Sequence, residues 1–293
     1  MSAMKSAGVK RRKGSRILGN LVFALVILIG SGMIGYPLLA NWLYLRTVED
    51  ATASYTRSVS GLNDKELKAM WDEAYAYNHE LGNPRVRDPF SEVEITSPLD
   101  RYNKVLNPDG SGMMGYVEVP RAGIDLPIYH GTSDRVLQIG AGHIATTALP
   151  IDGTSIHPIL TGHTALPDRM LFTNLTRVRK GDYFSMRILD KTFWYRVASI
   201  DVILPSDTSK LQPKQGDNRL TLLTCTPYGI NSHRLLVTGV PSDPPPEDER
   251  LGYPPLWWAW VCFAAFLLLV LAEVLIGRAR RRYRRYLRSP SVQ

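Results

Sequence analysis

Two long apolar stretches, one near each end, constrain this chain more than anything between them. Residues 17–45 and residues 256–277 run almost without charge. Each is long enough to cross a bilayer, which takes roughly 20 apolar residues in a helix. A helix is the only single segment that satisfies its own backbone in lipid, so both are expected as transmembrane helices. Lys5, Lys10, Arg11, Arg12, Lys13 and Arg16 stand before the first; Arg278, Arg280, Arg281, Arg282, Arg284, Arg285 and Arg288 stand after the second. An excess of Lys and Arg marks the cytoplasmic side. Residues 1–16 and 278–293 therefore read as cytoplasmic basic tails of a two-pass protein of the cell membrane, with the intervening chain outside. Trp257, Trp258 and Trp260 at the entry to the second span fit an interfacial aromatic belt. Glu273 is tolerable in that span near its cytoplasmic end.

Each end has a second reading. The first stretch has the basic start and apolar centre of a cleaved signal peptide, but it is long and no small-x-small site follows it. The second resembles the sorting tail of a wall-anchored substrate, but Gly252-Tyr253-Pro254-Pro255 stands before it in place of Leu-Pro-x-Thr-Gly.

The formal charge of +8 belongs to the tails. They hold 13 of 35 basic residues, and setting Glu273 aside leaves 22 basic against 26 acidic residues outside, about −4. A mildly acidic surface is not built for phosphate backbones, so nucleic acid is excluded as a partner. The tails suit topology and contact with anionic membrane lipids.

The outward segment changes character along its length. Asn63 followed by Glu66 resembles a capping box, and Leu67, Met70, Trp71, Ala74 and Leu81 recur at three and four, so residues 47–81 are expected as helix. Gly82-Asn83-Pro84 ends it. Residues 85–112 show no period, which in a compact domain signals disorder or a lid. Strands are expected at 113–119, 124–129, 155–161, 183–189, 192–204, 219–225 and 234–240, with short helices at 133–139 and 169–175. Many strands at close spacing argue for a mixed, mainly antiparallel barrel. Residues 244–255 open on three prolines and three acids, a stiff linker into the second span.

Cys225 is the only cysteine outside the spans, since Cys262 lies within the second. An unpaired thiol in an exported domain invites a chemical explanation. At an ordinary pKa near 8.5 only a few per cent is thiolate, so a reactive cysteine needs a cation beside it. Arg234 follows nine residues later across a tight turn, which brings its strand alongside. His163 closes a strand at Thr161-Gly162-His163. Against this, a lone cysteine at a strand end is more often a small buried hydrophobe, and lone histidines are more often hydrogen-bonded filler. His130, His143, His157 and His233 compete with His163 for the role of base, and spacing does not decide. There is no Gly-rich phosphate loop and no compact His/Cys/Asp cluster at ligand spacing, so neither cofactor nor metal is expected.

Leu160-Thr161-Gly162-His163, the run from Asp168 to Leu175, Leu222-Leu223-Thr224-Cys225-Thr226-Pro227-Tyr228-Gly229-Ile230-Asn231 and His233-Arg234-Leu235-Leu236-Val237 together resemble the sortases. The likeness is to the class C, pilin-polymerising group of Gram-positive bacteria, and it covers residues 113–240. Gly142-His143 followed by Leu149-Pro150 fits the same pattern, and Asp88-Pro89-Phe90 resembles that group's lid motif. The resemblance implies a mainly β, eight-stranded barrel at 113–243, preceded by a helical segment and lid at 46–112 and flanked by the two membrane helices. It implies Cys225 as nucleophile, His163 as general acid/base, Arg234 as the oxyanion and positioning residue, and Asp88, Pro89 and Phe90 as a plug. The implied substrate is a pilin bearing a Leu-Pro-x-Thr-Gly-like sorting motif, joined to a lysine of the next pilin. Two other readings stay open: an anchoring enzyme that uses cell-wall precursor as acceptor, and a tethered scaffold whose thiol is inert.

Overall fold

The computed structural model describes residues 5–82, 85–90, 99–246 and 257–286. Asn83-Pro84, most of the 244–255 linker and the outer ends of both basic tails lie outside the described residues. The chain groups into two compact units, one of Met1–Asn41 with Pro255–Gln293 and one of Trp42–Pro254. In the first unit, the apolar part of helix α1 (Lys5–Ser60) and helix α5 (Trp257–Tyr286) are each long and apolar enough to cross a membrane.

The second unit is a closed barrel of eight strands. These are β1 (Met113–Val119), β2 (Ile124–His130), β3 (Ala141–His143), β4 (Ile159–Thr161), β5 (Tyr183–Ile188), β6 (Lys191–Ile203), β7 (Leu220–Thr226) and β8 (His233–Ser242), in the spatial order β1-β2-β3-β4-β7-β8-β6-β5. Closure leaves no edge strand. β2 pairs parallel with β3 and β4 parallel with β7, and the other neighbours are antiparallel.

Helix α1 continues without a break to Ser60, where Gly61 and Leu62 interrupt it. Asn63 then caps α2 (Asp64–Leu81): its side chain accepts from the Glu66 N–H at 3.0 Å, and the Glu66 carboxylate accepts from the Asn63 N–H at 2.9 Å. That is the reciprocal capping box read from the sequence. The end of α1 docks on the barrel through Tyr55, whose hydroxyl donates to Met114 O at 2.6 Å and accepts from Leu189 N–H at 2.8 Å. Helix α2 docks through Trp71, whose indole donates to Asp190 Oδ1 at 2.9 Å. Helix α3 (Leu99–Tyr102) places the Tyr102 hydroxyl in the core, where it meets His143 Nδ1 at 2.8 Å and accepts from Gly131 N–H at 3.0 Å. Helix α4 (Asp134–Ile139) follows β2.

Side chains alternate between the two faces of a strand, and here both faces are used. Leu160, Leu220, Leu222, Leu235 and Val237 join the main core. Their neighbours Ile159, Leu223 and Leu236 turn to a second apolar cluster with Val86, Ile144, Ile203 and Leu211. That second cluster is the floor on which the site is built.

Three expectations shift. Strand β3 is absent from the sequence reading. The strand read at 155–161 shrinks to Ile159–Thr161, because Pro158 has no N–H to give a ladder. The helix read at 169–175 is a 3-10 turn at Thr173–Arg177, since Leu171 takes a positive φ of 34° and the Phe172 N–H goes to His163 O instead of a carbonyl one turn back.

Candidate active site

Cys225 and Arg234 are direct cross-strand partners on β7 and β8. Opposed residues of an antiparallel pair project to the same face. Cys225 stands two residues beyond Leu223, and Arg234 two before Leu236, so both continue the face of the second apolar cluster. His163 arrives by a different route. Strand β4 runs parallel to β7 with Thr161 beside Leu223, and the ladder extends one step further through Gly162 N–H to Leu223 O at 3.2 Å. Thr224 Oγ1 then donates to Gly162 O at 2.7 Å, which ties the residue before His163 to the residue before Cys225. Phe172 N–H donates to His163 O at 3.1 Å, and the Phe172 ring covers Gly162 so closely that a Cβ there would lie 2.9 Å from it. Three strand ends thus bring the thiol, imidazole and guanidinium to one rim.

Asp88-Pro89-Phe90 sits on that rim. Arg234 Nε donates to Asp88 Oδ1 at 2.7 Å and Nη2 to Oδ2 at 2.8 Å, a bidentate pair with side chains 9% and 8% exposed. Arg234 Nη1 also donates to Asn231 O and His233 O, at 3.0 and 3.1 Å. The Phe90 ring lies 5.6 Å from the His163 ring, and the guanidinium lies over its face at 5.1 Å. Cys225 is left 8% exposed.

Burial pushes the Cys225 thiol above its ordinary pKa; Arg234 pulls it down and Asp88 pushes it up again. Burial lowers the imidazole of His163, and the Asp134 carboxylate opposes that. Both directions favour the neutral forms of thiol and imidazole while the segment is seated. Removing Asp88 deletes one of the influences that keep the sulfur protonated and frees Arg234 for another oxyanion.

The competing histidines are occupied elsewhere. His143 is fully buried between Tyr102 and Ala148 O, and desolvation holds its pKa to about 3. His157 bonds Thr221 at 2.8 Å and is likewise lowered to about 3 by burial. His130 lies between Gly112 O and Val105 O. His233 faces Ser232. One participant in the rim escaped the sequence reading: Gln212, whose side chain holds the backbone of Val86. It lies in an irregular connection where no period marks it.

A family model described as Sortase domain matches residues 117–242. The crystal structure of sortase C1 from Streptococcus agalactiae is 37% identical with a TM-score of 0.61, covering 67% of this chain and 100% of that one. A structure titled pilus-related sortase C of Group B Streptococcus is 38% identical with a TM-score of 0.60, covering 66% of this chain and 97% of that one. Sortase A of Staphylococcus aureus is 25% identical over 221 residues, 74% of this chain and 90% of that protein.

Proposed function

This chain belongs to the sortase family, as a cysteine transpeptidase of the class C group, and on that premise we propose that it polymerises pilins. The substrate is a pilin with a Leu-Pro-x-Thr-Gly-like motif, and the acceptor is a lysine amine of the next pilin. Cys225 attacks the Thr carbonyl, with its proton passing to His163. A C–S bond forms as negative charge gathers on the carbonyl oxygen. The Arg234 fork is suited to hold that oxygen, being permanently charged and planar. The C–N bond to Gly then breaks, and His163 returns the proton to the departing amine. The thioester that remains stores the amide's energy, so an amine can take the acyl group without ATP. A lysine Nζ attacks it, the C–S bond breaks, an isopeptide bond forms and the thiol is regenerated.

The observation that carries this reading is the seating of Asp88-Pro89-Phe90 on Arg234 and His163. A lid that occupies both catalytic partners suits an enzyme opened by one particular peptide, and a solved relative carries a pilus-related title. Topology belongs to the same proposal: two membrane helices, the barrel outside, and Arg278, Arg280, Arg281 and Arg282 in the cytoplasm beside anionic lipid. The test is reconstitution of the full chain in membranes with a motif-bearing pilin. A high-mass ladder joined by Thr–Lys isopeptide bonds is expected. Release of hydrolysed pilin alone, or transfer only to wall precursor, would overturn the polymerase reading.

A further inference from the structure

His163 stands at the start of a loop that leaves β4 and closes on itself at Phe172. The base of the loop is tied by Phe172 N–H to His163 O at 3.1 Å and by Ala165 N–H to Thr173 Oγ1 at 3.2 Å, and Leu171 and Phe172 are buried beneath it. Between these ties the backbone is strained. Ala165 and Leu171 take φ of 63° and 34°, the left-handed region that side chains with a Cβ avoid. Such a conformation persists only where its surroundings hold it.

Arg169 holds the tip. Its Nη1 donates to Gln138 O at 2.5 Å, and its guanidinium lies over the Tyr44 ring, 5.6 Å from the centroid. The Tyr44 hydroxyl donates to Ile139 O at 3.1 Å. Gln138 and Ile139 are the last residues of α4, where carbonyls have no further turn of helix to accept from. Two adjacent orphan carbonyls are thus answered by two side chains that touch each other, one from α1 and one from the His163 loop. Tyr44 is buried and Arg169 only partly exposed, which strengthens a cation over a ring relative to one in open water.

The other end of α4 also bears on the histidine. Asp134, in its first turn, is the carboxylate that opposes the effect of burial on the His163 imidazole. Strand β3 begins two residues after α4 and pairs Gly142 with Thr161, two residues before His163. Loop tip, α4 and β4 therefore set the place of the imidazole together.

We propose that Arg169 and Tyr44 form a clamp that positions His163 for proton transfer, so that helix α1 supports the catalytic site as well as tethering the barrel. Both are positioning residues. This rests on the assignment of His163 as acid/base in the reading above. Proton delivery to a departing amine needs hydrogen-bond reach, and a displacement of about 1 Å can cost about 10²-fold in rate. A thiolate leaves without a proton, so a thioester substrate is less sensitive to where the imidazole lies.

The test uses the full chain in detergent with Cys262→Ser, a maleimide to report access to Cys225, a synthetic Leu-Pro-Ala-Thr-Gly peptide, and a Leu-Pro-Ala-Thr thioester. Single-turnover acylation of Cys225 is followed against substrate concentration. Arg169→Ala should lower the saturating rate on the peptide by about 10-fold, with the half-saturating concentration and the maleimide rate unchanged and the thioester rate within about 2-fold of the parent. Arg169→Lys, which keeps a donor and a cation at the ring, should recover to within about 3-fold of the parent. Tyr44→Ala should match Arg169→Ala, and the double variant should be little worse than either, since both residues act through one clamp. If Tyr44→Ala fails to fold, Arg169→Ala and Arg169→Lys decide alone. A parental peptide rate in Arg169→Ala overturns the proposal, as do equal losses on peptide and thioester. Absence of any acyl adduct on the parent protein, from peptide and thioester alike, overturns the sorting-motif reading itself, and the clamp's role with it.

Discussion

Asp88→Ala tests the lid most simply, and the structure sets the size of the effect. The variant deletes two charge-assisted hydrogen bonds, at 2.7 and 2.8 Å, between side chains that are almost fully buried. Arg234 is not orphaned, because Asn231 O and His233 O still accept from it, so the loss lies near the range for a single charged hydrogen bond. That range is about 1.5–3 kcal/mol, equivalent to about 10- to 150-fold in the closed-to-open equilibrium. A thiol reagent that reaches Cys225 only when the lid is open should label it faster by that factor in the full chain with Cys262→Ser. Adding Phe90→Ala should increase the rate further. The pH profile carries an independent sign. Burial and then Asp88 raise the thiol pKa in the closed state, so closure is stabilised below the open-state pKa and lost as pH rises through the closed one. Without Asp88 the profile should move to lower pH. An unchanged rate and an unmoved profile would refute the lid as a constraint on the sulfur.

Arg234→Lys keeps the charge but loses the planar fork, and peptide turnover should fall by about 10²- to 10³-fold with Cys225 still reactive to maleimide; turnover at the parental level would remove Arg234 from the oxyanion role. Thr224→Val deletes the bond from Oγ1 to Gly162 O that aligns His163 with Cys225. kcat should drop by about 10- to 100-fold with little change in KM, checked by steady-state kinetics on the peptide. Tyr102→Phe leaves Gly131 N–H and His143 Nδ1 without their shared hydroxyl and should lower stability by about 1–3 kcal/mol in denaturant unfolding while peptide kinetics hold.

Much of this fold was legible because its strands are punctuated. Gly, Pro and Asp break the chain often enough that seven of the strands could be read from their flanks. β3 could not, because Ala141-Gly142-His143 is too short to alternate and holds its place only by lying between β2 and β4. Helix was expected at 17–45 and at 47–81; what composition did not mark is that the first helix runs on through residue 46 to Ser60 and that Gly61-Leu62 divides the second stretch, so that α2 starts anew at Asp64. At the site, the hairpin from Cys225 to Arg234 is local, so nine residues and a turn were enough to place a guanidinium beside a thiol. The placement of His163 at the same rim depends on parallel pairing of β4 with β7, a contact between distant parts of the chain that no local period encodes. Gln212 was illegible for the same reason, since its partner lies 126 positions earlier.

The most direct measurement is intact-protein and peptide mass spectrometry of the full chain after mixing with a Leu-Pro-Ala-Thr-Gly peptide in the absence of an amine acceptor. A covalent Leu-Pro-Ala-Thr adduct on Cys225, missing in Cys225→Ala and released by added lysine amine as an amide, is the predicted result. Cleavage of the peptide by Cys225→Ala, or an adduct on any other residue, would contradict the assignment of the chemistry to this sulfur.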